Sequence, residues 1–156
     1  MLKAQSAMEY LTTYGWAILI IAVVVSVLAA AGFFSTKTYV RDYCFLPADF
    51  SCINGYLGSN GNFVVNLQQS TTAPINITAL GCNTNATVAY MTSYSPALYV
   101  QIGNNVTESV PCYYVNGTRY VQPPGTIFKG FLLINYTDQQ TGFPHTEIGK
   151  LIEVVT

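Results

Sequence analysis

The sequence predicts an α+β fold: a long N-terminal hydrophobic α-helix followed by an antiparallel β-sandwich (Ig-like) globular domain. Three observations carry that prediction. From Tyr10 to Thr36 no residue is charged, and Gly15 to Phe34 is almost unbroken apolar sequence. After Lys37 the pattern changes to period two, with β-branched and aromatic residues bounded by Gly, Asn and Pro. All four cysteines and all five N-x-T sequons fall after the apolar run.

At about 1.5 Å per residue the apolar segment is long enough to cross roughly 30 Å of hydrocarbon. It is too long for a cleaved secretory h-region of some 7–15 residues. Each large apolar side chain is worth roughly 1.5–3 kcal/mol when buried, so the segment belongs in lipid or among other helices. Small residues Ala22, Ser26 and Ala30 recur at i, i+4, i+8, the spacing that lets helix backbones approach closely. Tyr10, Tyr14 and Trp16 cluster at the other end, where rings with a polar handle suit a headgroup boundary or a wet helix interface. Glu9 stands alone before this run, and an acid in a helix's first turn is favoured by the macrodipole.

The stretch Lys3-Ala4-Gln5-Ser6-Ala7-Met8-Glu9, followed by YLTTYGWAILIIAVVV, resembles the class III signal peptide of archaeal type IV pilins. The family pattern is a basic residue, a small residue, then Q-x-S-x-E ahead of the apolar helix; here the Ser stands one place early. The resemblance implies a leader over residues 1–4, cut by a prepilin peptidase between Ala4 and Gln5. It implies an assembly or transmembrane helix over 5–36, and a carboxylate at Glu9 that sets one subunit's register against the next. It further implies a pilus assembly ATPase with its membrane platform, a membrane-anchored precursor, and an extracellular filament at the archaeal cell surface that adheres to surfaces or other cells. The resemblance covers about the first 34 residues.

Residues 37–156 are enough for one compact domain. Strands are expected at Tyr39–Phe45, Asn62–Leu67, Ile75–Leu80, Thr87–Met91, Ala97–Ile102, Val110–Val115, Arg119–Val121, Thr126–Tyr136 and Glu147–Val155. Turns are expected at Asn54-Gly55, Asn60-Gly61 and Asn116-Gly117, the last inside a tight hairpin. Cys44, Cys52, Cys82 and Cys112 lack the close pairing of zinc ligands, which favours two disulfides and an oxidising compartment. Four cysteines allow three connectivities; we take Cys44 with Cys52, closing a local loop, and Cys82 with Cys112, stapling the domain. The sequons at Asn76, Asn85, Asn105, Asn116 and Asn135 are N-glycosylation candidates and place the domain outside the cell.

Only 8% of the chain is Asp, Glu, Lys or Arg, with a formal net charge of −1 and no basic stripe, which argues against nucleic-acid binding. No catalytic residue, metal ligand or cofactor is expected. His145 is a lone histidine after Pro144, Asp138 and Glu108 have no recognisable partner, and no nucleophile elbow or phosphate-cradling loop occurs. The function that the resemblance implies is self-assembly into a helical homopolymer as a major pilin. Its rivals are a tethered or minor pilin-like protein whose domain binds an extracellular sugar or partner, and, more distantly, an archaellum subunit.

Overall fold

The computed structural model describes residues 2–34 and 42–156, with helix side chains described at Thr12 and from Tyr14 onward. The chain divides into two compact units, Met1–Tyr39 and Val40–Thr156.

The first unit holds one helix, α1 (Leu2–Ala30). Its end is set by Gly32, which takes φ 77°, a left-handed conformation that glycine adopts without a Cβ penalty. Phe33 N–H then donates to Leu28 C=O at 3.1 Å and Gly32 N–H to Ala29 C=O at 3.1 Å. These are the paired bonds of a Schellman stop, which satisfies the last carbonyls and turns the chain out of the helix. The expected helix over 5–36 is thus corrected: it stops at Ala30, residues 31–34 form the turn, and residues 35–36 lie outside the described ones. Among the described residues no helix is long and apolar enough to cross a membrane.

The second unit is built from β1 (Tyr43–Phe45), β2 (Phe50–Leu57), β3 (Asn62–Gln69), β4 (Ile75–Asn83), β5 (Thr92–Val100), β6 (Asn105–Tyr113), β7 (Ile127–Asp138) and β8 (Pro144–Val154). They form one eight-stranded sheet in the order β1-β8-β7-β4-β6-β3-β2, with β5 paired to β4 off this path. The predicted two-layer antiparallel sandwich is overturned by this topology, which makes the chain mostly β with a barrel-like sheet. In a sandwich the two sheets meet only through side chains. Here β4 and β6 hydrogen-bond in parallel, Cys82 opposite Cys112 and Asn83 opposite Tyr113, joining two antiparallel ladders into one sheet.

Alternation decides which side chains face inward. In β3, Phe63, Val65, Leu67 and Gln69 are buried and the residues between them are half-buried. Ile75, Ile77 and Leu80 from β4, Leu132 and Ile134 from β7, and Leu151 and Val155 at the chain end join the same core. Gln69 is a polar member that the core accommodates because both ends of its amide are used: Nε2 donates to Ala73 C=O at 2.6 Å and Oε1 accepts from Gly103 N–H at 3.0 Å.

Several boundaries differ from expectation. β2 occupies a stretch expected to turn at Asn54-Gly55, the strand expected at Thr87–Met91 does not form, and β5 starts at Thr92, before the strand expected at Ala97–Ile102, and ends at Val100. Arg119–Val121 contributes only a single bridge, Tyr113 to Arg119, and residues 39–41 of the first expected strand lie outside the described ones. The turns at Asn60-Gly61 and Asn116-Gly117 form, with φ 79° and 80° at their glycines.

Candidate functional site

Two regions present chemistry beyond packing. The first is the surface of α1. Between Trp16 and Val27 nine large apolar side chains are exposed, from 48% at Val25 to 69% at Trp16, and they point to every side of the helix. A helix apolar all round requires an apolar surrounding. Covering these side chains is worth on the order of 10 kcal/mol in all. Ala22, Ser26 and Ala30 are exposed on this surface. The Ser26 hydroxyl donates to its own helix at Ala22 C=O, 2.7 Å away, so the stripe offers small bulk without an unsatisfied donor. Gly15 has nothing within 4 Å of where a Cβ would stand, and with Thr12, Trp16 and Leu19 it lines a shallow groove of about 210 Å³. The expected cleavage position between Ala4 and Gln5, and Glu9, fall within the helical backbone of α1, while their side chains lie outside the described ones.

The second region is a cleft of about 400 Å³ where β1 and β2, the two ends of the sheet path, face each other. Cys44 and Cys52 are disulfide-bonded across it with Cα atoms 5.9 Å apart. Asp42, Tyr43, Asn54 and Glu153 also line it. A register shift between Cys52 and Asn54 marks a bulge in β2, the device by which a strand re-aims its side chains. Asp42 is held by Val154 N–H, which donates to its Oδ1 at 3.0 Å. Glu153 occupies an inward position of β8 and is only 3% exposed. Burial, and then the negative charge of Asp42, push its carboxyl up to about 7.

The other disulfide, Cys82–Cys112, is fully buried with Cα atoms 4.4 Å apart. Both bonds join the pairs named from the sequence, and no cysteine is free. Asn83, beside the buried bond, donates through Nδ2 to Ala89 C=O, and its buried Oδ1 has no hydrogen-bond partner among the described residues.

A further polar group gathers around Tyr136. Its hydroxyl donates to Asp49 Oδ2 at 2.7 Å, its ring meets Phe50 edge-on at 5.3 Å, and His145 stacks on it at 5.2 Å. Burial and the hydrogen bond to Asp49 raise the Tyr136 hydroxyl above the ordinary range. Burial, and the charge and hydrogen bond of Asp49, raise Glu147 as well. Among the described residues no group of three or more His, Cys, Asp or Glu side chains is placed to hold a metal.

Of the sequon asparagines, Asn105 and Asn116 are exposed, whereas Asn76, Asn85 and Asn135 are half-buried. Asn116 Oδ1 accepts from Thr118 N–H and Oγ1–H at 3.0 and 2.7 Å, and Asn135 Oδ1 accepts from Thr146 Oγ1–H at 2.9 Å. Sequence reasoning missed Asp42 and Glu153. The signal was present in GKLIEVV, where Gly149, Leu151 and Val155 alternate inward and Glu153 shares their parity. No family model matches the chain, and comparison with characterised proteins finds no match.

Proposed function

We propose that this chain is a structural subunit, a major pilin, of an archaeal type IV pilus, polymerising through α1 into an extracellular adhesive filament. The observation that carries this reading is the apolar surface of α1 between Trp16 and Val27, exposed on every side. In a filament, copies of the same helix cover one another. The driving gain is close packing along the Ala22, Ser26 and Ala30 stripe, because lipid and a helix bundle are similarly apolar. The two disulfides support the placement of the β domain in an oxidising compartment outside the cell. Partners of this reading are other copies of the chain, a prepilin peptidase acting between Ala4 and Gln5, and an assembly ATPase with its membrane platform. Glu9 sets the register, since an ion in an apolar bundle is costly unless paired.

Electron microscopy of filaments shed from the cell surface, with peptide mass fingerprinting and N-terminal sequencing, tests the reading. Fibres made chiefly of this chain and beginning at Gln5 are expected, with Glu9→Ala lowering filament yield. A chain that stays a dispersed monomer in detergent-free buffer, or binds a sugar without polymerising, overturns it.

A further inference from the structure

The outward positions of β2, β3 and β6 form a polar ladder. Phe63, Val65 and Leu67 of β3 lie in the core, so the residues between them face out. The register sets Asn54, Asn66 and Thr107 side by side across the three strands, and Tyr56, Val64 and Ser109 in the adjoining row. No outward side chain of these strands is charged: Glu108, their only charged residue, pairs with the inward Val65, and Tyr94 O–H donates to it at 3.2 Å. The outward rows of β7 and β8, in contrast, carry Lys129 and Lys150. Tyr56 is 53% exposed, and among the described residues its ring meets no other ring. Hollows of about 440 and 340 Å³ lie on either side of it along the strands, and every side chain lining them is neutral. The side chains of Asn54, Tyr56, Asn66, Thr107 and Ser109 make no hydrogen bond among the described residues, and Asn66 Oδ1 is a buried acceptor without a partner. Such an acceptor is destabilising as it stands. No bond fixes the amide, and rotation about its Cβ–Cγ bond turns the oxygen into the hollow that the residue lines.

We propose that this face binds a neutral carbohydrate chain, with the C–H face of one sugar ring on Tyr56 and the hydroxyls of its neighbours in the two hollows. A sugar ring joins an apolar C–H face to a rim of hydroxyls, each both donor and acceptor. Tyr56 offers the matching apolar body. The amides of Asn54 and Asn66 set a donor and an acceptor side by side, and the Thr107 and Ser109 hydroxyls add more of each. Phosphates and sugar acids find no cation here, and metal ions find no carboxylate. A peptide strand adds to a free main-chain edge, but β3 is paired on both sides, to β2 and to β6, so its face offers side chains only. A protein partner, a second copy included, calls for a desolvated apolar centre, and in the two rows only Val64 and the Tyr56 ring are apolar. In a filament assembled as proposed, this face gives the adhesion its ligand class; that role rests on the pilin reading, whereas the binding itself belongs to the β domain.

The test uses the full chain in a polyoxyethylene detergent, which brings no sugar headgroup, with empty micelles as the blank. Saturation-transfer NMR is recorded with cellotetraose, mannotetraose and chitotetraose, and with tetragalacturonate as the charged control. Transfer to at least one neutral tetramer and none to the charged one is expected. Tyr56→Ala should weaken that binding about tenfold. Asn66→Ala should weaken it about fivefold and leave the Tm level or higher, because it also deletes an unpaired acceptor. Binding of no neutral tetramer, equal binding of the charged one, or binding unchanged in Tyr56→Ala overturns the proposal. So does a Tyr56→Ala chain that loses filament assembly where no sugar binds the parent, since the face is then a contact between copies. Sugar binding by a chain that forms no filament overturns the pilin reading alone; filaments that bind none of the neutral tetramers overturn this inference alone.

Discussion

The β domain is stapled at two junctions that are built differently. At one, β4 and β6 pair through their main chains and Cys82–Cys112 lies within that pairing, with both side chains fully buried. At the other, β1 and β2 pair with β8 and β3 respectively but not with each other, and Cys44–Cys52 spans the gap. A parallel bridge from Leu57 to Val155 ties the far end of this second junction. The first junction is core; the second is a seam. Where hydrogen bonds and apolar packing close a junction, a charged side chain is excluded by the cost of burying it. Where a disulfide and a single bridge close it, a cleft remains, and Glu153 can stand at an inward position because that cleft reaches it.

The largest expected effect comes from opening the closed junction. Replacing both Cys82 and Cys112 with Ala frees a loop with a sequence separation of 30 and leaves a void in the core. Together these should cost about 4 kcal/mol in guanidinium unfolding of the full chain. A loss below about 1 kcal/mol would mean that main-chain pairing alone holds this junction.

Next in size is the pH response of the seam. Glu153 is raised from 4.5 to about 7, so between these values the folded chain binds more protons than the unfolded one. Stability therefore falls as pH rises from about 4.5 to about 7, by roughly 3 kcal/mol at most, and is flat in this respect above. Glu153→Gln should remove the larger part of the decline, leaving the contribution of the raised Glu147, and leave the protein more stable than the parent at pH 8. A parent whose stability instead rises through this window would contradict the raised carboxyl of Glu153.

Opening the seam itself should matter less than opening the closed junction. The Cys44–Cys52 ring has a separation of only 8, for which loop entropy gives about 2.5 kcal/mol. The pair of Ala substitutions leaves no large void, because both cysteines are only half-buried. Equal losses at the two junctions would erase the distinction drawn between them.

The contrast also explains what could be read in the sequence. Turn chemistry was legible at Asn60-Gly61 and Asn116-Gly117, where glycine supplies positive φ. At Asn54-Gly55 the same dipeptide misled, because Gly55 is there for space: a Cβ would stand 2.8 Å from the Phe63 ring across the β2–β3 pair. Gly32 ended the helix earlier than apolar content suggested, since a backbone stop outweighs hydropathy. The joining of two ladders into one sheet rests on a parallel contact between residues 30 apart, for which local periodicity carries no signal. Glu153 was legible in parity alone, and its meaning needed the cleft.

The smallest expected effect tests whether the seam's local ring acts as a unit. Asp49 lies inside the Cys44–Cys52 ring, and its loop is docked onto β7 and the end of β3. Tyr136 O–H donates to Asp49 Oδ2 at 2.7 Å, Ser70 N–H donates to Asp49 C=O at 2.9 Å, and Phe50 meets the Tyr136 ring edge-on. Tyr136→Phe keeps the ring contact and deletes one hydrogen bond to a carboxylate, worth about 1.5 kcal/mol. If the disulfide holds the loop in place for that bond, the two stabilise each other. The loss from Tyr136→Phe should then shrink by half or more in the chain lacking Cys44 and Cys52, read as a double-mutant cycle in denaturant. Strict additivity would show that the loop is docked by Tyr136 and Ser70 without help from the disulfide, and that the bond serves only to hold the two sheet ends together.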